Sequence, residues 1–394
     1  MININIKPLD SQSQEDARSR QSTLTKPPGS LGKLEELSAQ LAGIYQNPMH
    51  KIEKKMTVVA AGDHGIVSEG VSQYPQDVTG QMVLNFLTGG AAINTISRNS
   101  NSDIMVIDTG VKSELPDHPQ LRSMRIAPGT ENFAQQPAMT VEQAEKCINN
   151  GIDLANELSQ QNIDLVACGE MGIGNTTPAS AITAVICNKA PEEVTGRGTG
   201  INEESLNLKI SVIDKSIRLH TPNPTDGIEV LSKIGGFEIG FLAGLMLGCA
   251  SNNIAVLIDG FICTAAALIV SLGTYQADSN TFVFFGILHL LSACTLLGIL
   301  IYRIPSALII FLGLLIIIFE PYLISEFYEP KYLAWTGLYS GSTGSVDFYG
   351  FIPWSSAYIF GLGFSKIIFR KRGEEIRINN FLFFKTSRNS ILIK

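Results

Sequence analysis

The sequence predicts an α/β fold, a mostly parallel sheet with flanking helices, followed by about three transmembrane helices near its C-terminus. Three observations predict it. Before residue 270, four short apolar runs end in Gly and acidic residues, and stretches with helical periodicity lie between them. After about residue 272 the apolar runs lengthen to roughly 20 residues, the thickness of a bilayer core. The charge divides at the same place: residues 1–270 hold 19 Lys/Arg against 29 Asp/Glu, and residues 271–394 hold 10 against 7.

Residues 1–50 read as an N-terminal helical arm. A polar stretch from about residue 12 leads into the turn Lys26-Pro27-Pro28-Gly29-Ser30-Leu31-Gly32, then KLEELSAQLAGIY. There Leu34, Leu37, Leu41 and Ile44 recur at helical spacing. The polar N-terminus has no long apolar core, so it is no signal peptide, and residues 1–270 are expected in the cytoplasm. Residues 51–270 read as the α/β domain. MTVVAAGDHG (56–65), SDIMVIDTGV (102–111), IDLVACGEMGIGN (163–175) and AVLIDGF (255–261) read as buried parallel strands meeting loops. Helical segments are expected at 79–98, 140–160, 178–188 and 203–218. This Rossmann-like alternation gathers four Gly/acid loops at the carboxyl edge of one sheet.

Residues 273–280 are a candidate hinge, and residues 281–372 read as a transmembrane helical fragment with expected spans at 282–302, 305–325 and 351–369. A basic tail, 373–394, follows. Arg370, Lys371 and Arg372 predict a cytoplasmic C-terminus. Counting back three spans then places residues 1–270 outside, which contradicts the N-terminus. A chain joined by frameshift or rearrangement resolves that conflict.

The acidic front part argues against nucleic acid, because phosphate neutralisation needs clustered Lys/Arg. The six Cys form no CxxC pair and the five His never stand at i, i+4, so neither a disulfide framework nor a metal site is expected.

The densest chemical signal is Gly169-Glu170-Met171-Gly172-Ile173-Gly174-Asn175-Thr176-Thr177-Pro178. It follows a strand and opens a helix, where glycines let backbone N–H groups approach an anion. Thr176 or Thr177 is the expected cap, with Pro178 in the first turn. The alternative is a tight strand-to-helix turn without a ligand. Thr195-Gly196-Arg197-Gly198-Thr199-Gly200 is a second Gly-rich turn. Lys209 either points a charge at the same anion or sits on a solvated helix face. Lys233 to Glu238 is a third turn. Asp63-His64-Gly65 reads as a loop-ordering pair or, less simply, a catalytic one.

Together, LTKPPGSLGKLE (24–35), AGDHGIVSEGVSQYPQDVT (61–79), GGAAIN (89–94), DTGV (108–111), GEMGIGNTTPASA (169–181), PNPTDGIEVLSKIGGFEI (222–239) and IDGFICTAAAL (258–268) resemble one family. It is the nicotinate-nucleotide–dimethylbenzimidazole phosphoribosyltransferase family, and the resemblance covers about residues 10–270. It implies transfer of the phosphoribosyl group of nicotinate mononucleotide to 5,6-dimethylbenzimidazole, giving α-ribazole 5′-phosphate and nicotinate in cobalamin synthesis, with no metal or cofactor. It implies a catalytic Glu170 and a phosphate and ribose site at Gly172, Gly174, Asn175, Gly198 and Lys209. Tyr74, Pro75 and Met82 are implied to wall the base pocket, and the N-terminal domain to form a homodimer. Members carry a later Gly-Glu-Gly-[Ser/Thr]-Gly motif whose glutamate is the general base, and this sequence has no such motif. The alternative function is therefore a membrane-anchored nucleotide- or benzimidazole-binding module without turnover. The tail, through FGILHLLSACTLLG and VDFYGFIPWSSAYIFGLGFSK, looks like a fragment of the heparan-α-glucosaminide N-acetyltransferase-like membrane family. Membrane contact is expected through residues 282–369.

Overall fold

The computed structural model describes residues 4–27, 29–277, 305–323, 355 and 359. The chain forms two compact units, Met1–Thr281 and Phe282–Lys394.

The first unit is built on a five-stranded sheet, all of whose pairings are parallel. Its strands are β1 (Lys55–Gly62), β2 (Ser102–Gly110), β3 (Leu121–Ser123), β4 (Leu165–Met171) and β5 (Ala255–Ile258). They lie in the order β3-β2-β1-β4-β5. β1 has neighbours on both edges and is covered on both faces, which is why its sequence is apolar without alternation. Val59 pairs with Val106 on one side and Gly169 on the other. The winding direction reverses between β1 and β4. A doubly wound sheet opens its crevice at that point, beyond the carboxyl ends of the two strands.

α1 (Ser11–Thr23) and α2 (Lys33–Tyr45) form the arm, packed through Ala17, Ala39 and Ala42. The leucine stripe read from the sequence does not make this contact. Leu34 is 62% and Leu37 47% exposed, because the small alanines let the two helices approach on a different face. The Tyr45 hydroxyl donates to the Asp164 carbonyl at 2.8 Å and ties α2 to the start of β4.

The single helix expected at 79–98 is two, α3 (Asp77–Leu87) and α4 (Ala92–Asn99). Gly89, at φ +80°, breaks the helix between them. α5 (Val141–Gln160) begins at a capping box of Thr140 and Gln143. α6 (Thr176–Ile186), the short α7 (Pro191–Val194) and α8 (Glu203–His220) follow. α9 (Gly227–Ile234) and α10 (Phe237–Ser251) have no counterpart among the helices read from the sequence. α10 is buried on nearly every side, so it carries no amphipathic signature. A Cβ on its Gly244 would stand 1.9 Å from the Ile148 carbonyl oxygen, so α5 and α10 touch backbone to backbone. α11 (Gly260–Ala277) closes the unit.

In the second unit the described helix is α12 (Ser306–Leu323), where the span 305–325 was expected. Among the described residues no helix is long and apolar enough to cross a membrane. The expected spans at 282–302 and 351–369, apart from residues 355 and 359, lie outside the described residues, as does the basic tail.

Candidate active site

The loops beyond β1, β4 and β5 and the start of α10 meet at the sheet's carboxyl edge. β4 ends in Glu170 and Met171, opposite Ala60 and Ala61 of β1. The half-buried Glu170 carboxylate accepts a hydrogen bond from the Asn175 side chain. Burial pushes its pKa up to about 7. The Asn175 bond opposes that rise, the Glu238 carboxylate reinforces it, His64 opposes it and Asp259 adds to it. A carboxyl group poised there exchanges its proton near neutrality.

The glycines of the GEMG turn are closely packed. At Gly172 a Cβ would stand 2.4 Å from the Gly62 carbonyl oxygen and 3.0 Å from His64 Nε2. Glycine is thus required by the packing of β4's end on β1's end, whatever the ligand. At Gly174 a Cβ would meet Val67 Cγ2 at 2.5 Å. Neither Thr176 nor Thr177 caps α6. The cap is Asn175, whose side chain reaches back to Glu170 and makes no cap bond. Pro178 is in the first turn as expected.

Lys209, far from lying on a solvated face, is fully buried. Its Nζ donates to Thr176 Oγ1 at 2.7 Å and to the Gly196 carbonyl at 3.3 Å, both neutral acceptors. Burial lowers its pKa to about 8. Gly198 belongs to the same cluster: its Cβ would stand 2.6 Å from Thr176 Oγ1 and 3.3 Å from Lys209 Nζ. The start of α6, the second Gly-rich turn and a buried ammonium therefore converge. A buried cation among neutral partners and an uncapped helix N-terminus both favour an anion.

The second Gly-rich turn also touches the segment of the expected base pocket, since Thr199 Oγ1 accepts from the Gln73 backbone N–H at 3.2 Å. Tyr74 and Pro75 are exposed on that segment. Met82 is half-buried on α3 and packs, with Met171, on the apolar cluster of Val59, Ala61 and Val83.

Asp63 and His64 do not pair with each other. Asp63 Oδ2 accepts from the Lys112 backbone N–H at 2.8 Å. His64 Nε2 meets Glu238 Oε1 at 2.9 Å, with both side chains wholly buried. Sequence reasoning missed this pair across 174 positions, although Glu238 stands in a Gly/acid turn like the others. Among the described residues no cluster of His, Cys, Asp and Glu could hold a metal ion. A separate surface cleft of about 600 Å³ lies at the amino ends of β1 and β4, lined by Lys54, Asn101 and Gln161 among others. It lies away from the switch-point loops and gathers none of the groups above.

Residues 6–287 match the family described as Phosphoribosyltransferase. Residues 237–393 match the one described as Heparan-alpha-glucosaminide N-acetyltransferase, catalytic, so the two matches overlap from α10 onward. The nicotinate-nucleotide–dimethylbenzimidazole phosphoribosyltransferase of Chloroflexus aggregans is 52% identical over 266 residues, 68% of this chain and 75% of the relative. That of Geobacter sulfurreducens is 47% identical over 264 residues, 67% and 75%. The crystal structure of CobT from Thermus thermophilus is similar at a TM-score of 0.64 and 44% identity, covering 66% of this chain and 78% of that one. The chain therefore belongs to the phosphoribosyltransferase family, enzymes of the pentosyltransferase type, and carries at its C-terminus a joined segment similar to the acetyltransferase catalytic region.

Proposed function

We propose that residues 1–270 bind nicotinate mononucleotide and pass its phosphoribosyl group to 5,6-dimethylbenzimidazole, releasing nicotinate and forming α-ribazole 5′-phosphate. The observation that carries this reading is the buried Lys209 beside the start of α6, one Gly-rich turn away from Glu170. In this reading Lys209, with backbone N–H groups at Gly174 and Gly198, takes the 5′-phosphate. Asn175 also fixes the Glu170 carboxylate. Gly172 contributes by closing β4 onto β1. Anchoring the phosphate holds the anomeric carbon for in-line attack. As the nicotinate bond lengthens, positive charge develops on the sugar, and an ionised Glu170 stabilises it. The benzimidazole lies flat among Tyr74, Pro75 and Met82.

The proton on the attacking ring must leave as the new C–N bond forms. General-base help is worth roughly 10²–10⁴-fold. The glutamate motif that supplies it in the resembled family does not occur in this sequence. Glu238 cannot replace it, being wholly buried against His64. Turnover is therefore slow, and Glu170 serves both the sugar and the proton. Two further features belong to the proposal. Leu24, Leu31, Leu34 and Leu37 stand exposed on the arm and suit a homodimer contact there. Residues 282–369 act as the membrane attachment of a domain working in the cytoplasm.

Isothermal titration of the purified full-length chain with each ligand, beside an assay for α-ribazole 5′-phosphate, tests this. Binding of both ligands with slow turnover is the expected result. Binding with no turnover at all supports the membrane-anchored binding module. No binding of nicotinate mononucleotide overturns the reading.

A further inference from the structure

The buried ionic pair at the switch point has no part in the chemistry above, yet its geometry reaches the site. The His64 ring lies between two glycine backbones. A Cβ on Gly172 would stand 3.0 Å from its Nε2, and one on Gly236 would stand 2.6 Å from its Cε1. Gly236 is the N-cap of α10, and Glu238 lies in that helix's first turn, where the macrodipole favours a carboxylate. The 2.9 Å contact of His64 with Glu238 thus fastens the end of β1 to the start of α10, with the end of β4 held between them. Three atoms of this cluster, Asp63 Oδ1, His64 Nδ1 and Glu238 Oε2, make no hydrogen bond. A buried ion pair with unmet valences adds little stability compared with a well-packed apolar pair. Its charges therefore point to a role beyond packing.

We propose that His64 and Glu238 are a positioning pair for Glu170: together they fix the backbone at Gly172, two residues after Glu170, and so set the position and the electrostatic surroundings of its carboxylate. The groups that face His64 are Asp63 on its own loop, Glu238 on α10 and Glu170 on β4. Burial works against a charged imidazole, but the charge and hydrogen bond of Glu238, with Asp63 and Glu170, override it, so the ring's pKa is raised. Around Glu170 stand Asn175, Glu238, His64 and Asp259. Glu238 raises the pKa of Glu170 and His64 lowers it. The proposal rests on Glu170 being the carboxylate that faces the sugar, but its test needs no turnover.

The test is titration of the Glu170 carboxyl carbon by NMR in full-length protein labelled at glutamate, with the signal assigned by its loss in Glu170→Gln. In His64→Gln the Glu170 pKa should rise, by on the order of one pH unit, the size typical of a lost neighbouring charge. In Glu238→Gln it should fall or stay. A merely structural pair predicts otherwise: loosened packing admits water in both variants and lowers the Glu170 pKa in both. A fall in His64→Gln therefore overturns the proposal. Should that variant fail to fold, the imidazole nitrogens decide. Titrated by NMR, the wild-type His64 ring should show a pKa above that of a free imidazole, and a lower one in Glu238→Gln. A wild-type His64 pKa at or below the free-imidazole value also overturns it. If the titrations behave as stated while nicotinate mononucleotide fails to bind, the pair stands and only the reaction reading falls.

Discussion

Replacing Lys209 by Met should make the ligand-free protein more stable and its phosphate site weaker. The side chain is wholly buried, and burial moves its pKa from 10.5 to about 8. At about 1.36 kcal/mol per pH unit, holding the charge there costs roughly 3 kcal/mol at pH 7. Methionine keeps most of the volume and removes that cost. It also removes the hydrogen bonds to Thr176 Oγ1 and the Gly196 carbonyl, each worth about 1 kcal/mol. The net gain is on the order of 1–2 kcal/mol, a rise of a few degrees in Tm for a domain of this size. The sign follows from the depressed pKa. The cost is fully present below pH 8, shrinks as pH rises from 8 towards 10.5, and vanishes above. The stability gap between variant and wild type should therefore close over that window. Loss of a charge-assisted bond to phosphate costs about 1.5–3 kcal/mol, so nicotinate mononucleotide should bind roughly 10- to 150-fold more weakly. Dimethylbenzimidazole affinity should not change. In the wild type, mononucleotide affinity should decline above pH 8, as binding then requires protonation of Lys209. Differential scanning calorimetry and isothermal titration read all of this. A destabilised Lys209→Met that binds the mononucleotide normally would refute the reasoning, and Lys209 would be a structural strut.

Three other outcomes are expected. Gly172→Ala should lower Tm sharply and weaken both ligands together, because its Cβ meets the Gly62 backbone at 2.4 Å. A selective loss of mononucleotide binding would instead place that glycine at the phosphate. Glu170→Gln should cut whatever turnover the chain has by roughly 10²-fold or more while leaving mononucleotide binding nearly intact. Wild-type turnover should fall as pH drops below about 7, where Glu170 takes up its proton. Asp164→Ala should destabilise the protein by about 2 kcal/mol in urea titration and speed hydrogen exchange in α2. That carboxylate accepts from the backbone N–H groups of Glu53 and Lys54 and from His50, bonds that overcome burial and lower its pKa. The stability it adds is present at neutral pH and is lost as pH falls through its folded pKa.

The alternation of apolar runs with helical stretches was legible because β1 and the end of β2 are buried and α5 and α8 face a core on one side. The loops at the strand ends were legible as a site for the same reason: Gly and acidic residues interrupt apolar runs where the chain leaves the sheet. The helix α10 was not, since burial on nearly all sides removes the periodicity that marks a helix. Nor did spacing reveal that Gly172 lets two strand ends touch, since that close approach involves a distant segment. Partner choice was the largest gap. Adjacent Asp63 and His64 suggested each other, but neighbouring side chains diverge, and each found its partner on a distant segment, at Lys112 and Glu238. Lys209 read as aimed at an anion or as solvated, and its burial was not foreseen, because one lysine on a helix carries no sign of what packs over it. The sequence by itself determined the principal strands, most of the amphipathic helices and the α/β sheet class, since these follow from local pattern. The tertiary structure alone decided which charges are buried and with whom, because burial and pairing come from contacts between residues far apart in the chain.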